Sequence, residues 1–124
     1  RHAWWSTTAA ALHAGTLLAA GDPGAAAAVL RPAARVADVP GAEAYLLRCL
    51  APLAEATGDP AVLTRADALL RTVRVPDGGA WLAGADAYLG IARAWRAAGH
   101  PDRAEEIVTG FRAAATAAGW VALG

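Results

Sequence analysis

The sequence predicts an all-α fold, a single domain of three helical hairpins, and three observations point to it. A turn signature recurs at Gly21, Gly58 and Gly99, in "LAAGDPGAAAAVL", "EATGDPAVLTRAD" and "RAAGHPDRAEEIV". The spacings of 37 and 41 residues fall in the range of helical repeat arrays. Each turn is flanked by Ala- and Leu-rich segments of good helix formers, and in the last hairpin the apolar residues recur at steps of three and four.

The turns have a mechanism. Glycine at a helix end takes the left-handed conformation without a Cβ clash, and its N–H closes on the last carbonyls. Asp22, Asp59 or His100 follows, and then a proline. The two aspartates are expected to cap the next helix, while the proline fills its first turn, where no N–H is needed.

In chain order, the first unit spans about residues 3–37. Its helices run from about Trp4 to Ala20 and from Pro23 to Ala37, with Leu17, Leu18, Val29 and Leu30 as the larger apolar residues. The loop "DVPG" at 38–41 leads to the second unit, about 42–73, with helices from about Ala42 to Thr57 and from Pro60 to Val73. The loop "RVPDGG" at 74–79 precedes the third unit, about 80–118. There Tyr88, Ile91, Ala92 and Trp95 form one stripe, and Ala104, Ile107, Val108 and Phe111 the other. Pro32 and Pro52 fall inside helices, where each deletes one backbone bond, so kinks or short restarts are expected at both.

Composition narrows the function. Ala accounts for 37 of 124 residues, and Lys, Asn, Gln and Met are absent, a bias that fits a GC-rich coding sequence of actinobacterial type. The start at Arg1 without Met fits a piece of a longer polypeptide, so other domains of the same chain are among the expected partners. Eleven arginines balance eleven acids along the chain, which leaves no electrostatic footprint for nucleic acid or for an anionic membrane surface. "AAALHAGTLLAAGD" imitates a secretory leader, but the same pattern recurs twice downstream, where it reads as a turn. A lone Cys49 fits a reducing compartment, and the expected location is the cytoplasm.

"AYLGIARAWRAAGHPDRAEEIV" resembles a tetratricopeptide repeat: large residues at Tyr88 and Trp95, small ones at Ala92 and Ala104, Gly99 at the turn, and an apolar pair at Val108 and Phe111. The first unit follows with Ala14, Leu17, Gly21, Ala26 and Leu30, and the second with Ala51, Ala54 and Gly58. The longer spacing is similar to the stretched repeats in C-terminal parts of large bacterial transcriptional regulators, those like the maltose regulator or the ATPase-plus-repeat activators of actinomycetes. The resemblance implies an α-α superhelix, a TPR-like solenoid whose first helices line a concave groove for a protein or peptide. Carried over position by position, that groove takes Tyr45, Arg48 and Glu55 from the second unit and Asp86, Arg93 and Arg96 from the third. The first unit adds only small or apolar groups such as Thr8, Ala11 and Leu18. The arginines suit carboxylates, which match their planar fork.

Catalytic readings are weaker. His100, Asp102, Glu105 and Glu106 read as a helix start rather than a metal or acid–base cluster, since no partner motif of ligand spacing accompanies them. His13 is expected on the packing face of the first helix. Cys49, in "LLRCLAPL", reads as an inert core thiol. "GDPGAAAAVL" lacks the Lys-Ser/Thr of a phosphate loop. Trp4 and Trp5 point about 100° apart on a helix, so one of them should be exposed or meet a preceding segment. No catalytic residue, cofactor or metal is expected. The leading expectation is a non-catalytic module for protein–protein interaction or ligand sensing. The alternative is a fragment of an α/α-toroid enzyme such as a glycosidase or cyclase, for which Asp86 is a lone candidate acid where two placed carboxylates are needed.

Overall fold

A computed structural model describes the backbone of residues 2–72 and 79–117 and the side chains of 5–71, 87–113 and 116. Six helices follow in order: α1 (His2–Ala19), α2 (Pro23–Ala37), α3 (Glu43–Thr57), α4 (Pro60–Thr72), α5 (Gly79–Ala97) and α6 (Pro101–Ala117). No strand occurs among the described residues. The three hairpins begin and end within a residue or two of the expected bounds. The joint at 73–78, which holds most of "RVPDGG", lies outside the described residues.

The turns work as their residues dictate. Gly21, Gly58 and Gly99 have φ of 79°, 65° and 89°, the left-handed region that a Cβ disfavours. In the first and third hairpins the closing bonds are the same. Asp22 N–H donates to the Leu17 carbonyl at 2.9 Å and Gly21 N–H to Leu18 at 3.0 Å; His100 N–H donates to Trp95 at 2.9 Å and Gly99 N–H to Arg96 at 3.1 Å. These are Schellman closures.

The second turn is built differently. Gly58 N–H reaches Ala54 at 2.9 Å, and the Thr57 hydroxyl donates to Leu53 while accepting the Asp59 N–H at 3.1 Å. Asp22 and Asp59 both cap, accepting the N–H of Ala25 at 3.1 Å and of Ala61 at 2.9 Å. His100, in the equivalent place, instead sets its ring edge-on to Trp95, with centroids 5.3 Å apart.

Each helix packs on its sequence neighbours, and the first helices also meet across units, α1 on α3 and α3 on α5. More than half of the buried hydrophobic residues are alanines, so the helices approach closely and few large side chains fill the core. Leu30 and Ile91 are the largest fully buried apolar ones. The third-hairpin stripes behave as their spacing implies. Ile91, Ala92, Ala104 and Ile107 are buried, with Tyr88, Trp95 and Val108 half-buried against them. The rings of Tyr88 and Phe111 join α5 to α6 at 5.6 Å, and burial pushes the Tyr88 phenol up.

Two expectations need correction. His13 is exposed, not packed: the buried line of α1 runs through Thr7 and Ala14 with Ala10 and Leu17 beside it, and His13 lies one 100° step off that line. Of the kink or restart expected at each internal proline, the restart does not occur: α2 and α3 each continue as one helix through Pro32 and Pro52. Trp5 is 66% exposed, consistent with one of the two adjacent tryptophans leaving the core. Among the described residues no helix is long and apolar enough to cross a membrane.

Candidate functional site

Because α1, α3 and α5 stand side by side, their free faces enclose one groove of about 390 Å³. Its α1 wall is apolar and small: Ala11, Leu12, Gly15, Leu18 and Ala19. The α3 wall presents Arg48, Pro52 and Glu55, which recur at three- and four-residue steps and so share one face. From α5 come Ala87, Gly90 and Arg93. Gly90 is buried, and a Cβ there would meet Glu55 Oε1 at 3.3 Å, so the glycine leaves room for that carboxylate at the α3–α5 seam.

Of the six residues expected at the groove, three line it: Arg48, Glu55 and Arg93. The latter two are bound to each other in a two-pronged pair, Arg93 Nε to Glu55 Oε2 at 2.9 Å and a terminal nitrogen to Oε1 at 3.2 Å. Arg93 therefore offers less free charge than the sequence suggests. Tyr45 is half-buried and packs against the core. Arg96 reaches instead toward α6, where Glu105 accepts from it at 3.5 Å. The Asp86 side chain lies outside the described residues. Arg48 is half-buried and has no hydrogen bond or ion pair among the described residues.

Sequence reasoning missed Asp67. It is only 7% exposed, yet one oxygen accepts from Trp95 Nε1 at 3.2 Å and from Arg103 at 2.6 and 3.0 Å, while the other accepts from Arg71 at 3.0 Å. Burial pushes its carboxyl up, but the bonds from Arg103, Arg71 and Trp95 outweigh that and hold it below its ordinary value. The cluster ties α4 to both helices of the third hairpin. It is a joint between units, away from the residues that line the groove. The signal was present: Leu63, Ala66, Asp67 and Leu70 form a helical stripe in which one acid interrupts apolar positions.

The remaining candidates have ordinary roles. Glu105 and Glu106 are engaged by Arg96 and Arg103. Among the described residues no group of three His, Cys, Asp or Glu side chains stands ready for a metal. Cys49 is fully buried with its Sγ 4.0 Å from the Thr7 carbonyl, and burial pushes the thiol up to about 11. Compared with known proteins, the chain matches no family model, no curated protein and no solved structure.

Proposed function

We propose that this chain is a non-catalytic binding module, a TPR-like array that holds a peptide, a partner domain or a small ligand in the groove between α1, α3 and α5, as part of a larger bacterial regulatory protein. One observation supports this above the others. The first helix of every hairpin contributes to a single cavity of about 390 Å³, within the size range of small-molecule and anchor-residue sites. Its wall combines an apolar side with a few charged groups, as recognition sites do. Glu55, the described carboxylate at the groove, is committed to Arg93, an arrangement that favours binding over general acid work. The expected cytoplasmic location and a place among transcriptional regulators belong to the same proposal and rest on composition and resemblance.

The test is a groove block. Gly15 lies on the α1 wall, and a Cβ there meets nothing within 4 Å, so Gly15→Leu starts its side chain in open space at the groove and is chosen to obstruct it. Peptides selected from a random library against the parent chain should lose binding to Gly15→Leu. They should keep binding to Arg112→Ala, a change on an exposed position of α6. Equal binding to both variants would remove the groove from consideration.

A further inference from the structure

The groove has two ends of different character. At one end Glu55 and Arg93 neutralise each other; at the other, Arg48 has no counter-ion among the described residues although it is half-buried. Arg48 and Glu55 are seven residues apart on α3, which separates their attachment points by about 10 Å along the helix. Between them lies only the ring of Pro52, and opposite runs the apolar wall of Leu12, Gly15 and Leu18.

Among the described residues, Arg48 is therefore an unpaired guanidinium at one end of a groove whose α1 wall is apolar.

We infer that the groove takes a small amphipathic carboxylate, its anionic head held by Arg48 and an unbranched apolar chain of about 10 Å lying along the α1 wall toward the Glu55–Arg93 pair. The head is a carboxylate because a planar guanidinium fork matches its two oxygens. The tail is hydrocarbon because the α1 wall has no polar side chain to satisfy anything else. This inference rests on the groove being a binding site and names what it binds.

Octanoate is the probe, with octanol as the same tail without the charge. Titrated into the ¹⁵N-labelled chain, octanoate should shift amides of the groove-facing stripes of α1 and α3, and bind more tightly than octanol. Arg48→Gln should weaken octanoate about 10- to 100-fold, the range set by one charge-assisted bond, and leave octanol unchanged. Gly15→Leu should abolish both ligands. Octanoate affinity that survives Arg48→Gln, or octanol binding as tight as octanoate, overturns the assignment. If octanoate leaves the groove amides unmoved while library-selected peptides still lose binding to Gly15→Leu, the ligand class is wrong and the binding-module proposal stands. If neither ligand depends on Gly15, both fall.

Discussion

Trp95 donates its indole N–H to Asp67 across 3.2 Å, so a half-buried ring of α5 is held by a carboxylate of α4, in the preceding hairpin. The same oxygen takes both Arg103 bonds from α6. Comparable links recur along the array, each from an arginine to an acid nearer the N-terminus. Arg65 of α4 pairs with Asp38 after α2, and Arg93 of α5 pairs with Glu55 of α3. With a core made largely of alanine, little side-chain volume is available to fix how one hairpin sits on the next. Directional polar contacts supply that information.

The Asp67 joint should therefore be the most sensitive polar site in the described chain. Asp67→Ala leaves Arg103 with only Glu106 and leaves the Trp95 N–H without its acceptor. Breaking a fully buried pair costs about 3–5 kcal/mol; here about 2–3 kcal/mol is expected, because Arg103 keeps 22% of its side chain in water. Urea denaturation of parent and variant measures the difference. A loss under about 0.5 kcal/mol, the level of ordinary surface changes, contradicts the joint. The pH dependence has a definite sign. The folded-state pKa of Asp67 is depressed, so its contribution is complete above the ordinary carboxylate value of 3.8 and disappears as pH falls from there through the lower folded value. The acid limb of the stability curve should be shallower in Asp67→Asn than in the parent.

Two mid-helix glycines should respond oppositely to alanine. A Cβ at Gly15 meets nothing within 4 Å, so Gly15→Ala should stabilise by about 0.5–1 kcal/mol through helix propensity alone. At Gly90 the new methyl would crowd Glu55 Oε1 at 3.3 Å, and that carboxylate is held in place by Arg93. Gly90→Ala should show none of this gain. In a Glu55→Ala background the obstacle is gone and the gain should return. Thermal melts of the four variants decide it; a full gain at Gly90 in the parent background would mean that the pair yields freely.

The turns were legible because their chemistry is local. Gly, Asp and Pro at consecutive positions specify a left-handed stop, a cap and a new first turn, and no distant contact alters that. The stripes of the third hairpin were legible because large residues such as Ile91 and Ile107 stand out against charged neighbours. His13 was misplaced for the opposite reason. In "TTAAALHAGTLLAA" small and apolar residues occur on every side of α1, so the contrast between faces vanishes and only packing against α2 and α3 decides. That first helices would line a groove came from the resemblance to tetratricopeptide repeats, which carries no information on the pairing of charges. Glu55 and Arg93 are 38 residues apart and Asp67 and Arg103 are 36 apart, and which acid meets which arginine depends on an inter-helix register that no local pattern encodes.

That register separates two arginines one helical turn apart on α5. Arg93 engages Glu55 with both prongs at 2.9 and 3.2 Å, and Glu55 is only 26% exposed. Arg96 meets Glu105 through one bond at 3.5 Å, with both side chains more than half exposed. Exposed pairs are typically worth 0–1 kcal/mol, and two-pronged geometry places a pair toward the top of that range. A double-mutant cycle on Arg93→Ala and Glu55→Ala should give a coupling of about 0.5–1 kcal/mol, while the cycle on Arg96→Ala and Glu105→Ala should lie within about 0.3 kcal/mol of zero. In salt of about 1 M the weaker pair has little left to lose and the stronger one should keep part of its coupling, because the Glu55 carboxylate is only 26% exposed, although the Arg93 side chain is 58% exposed. Equal couplings would place both arginines in the same solvated class and would leave Glu55 as free as Arg48 to receive a ligand.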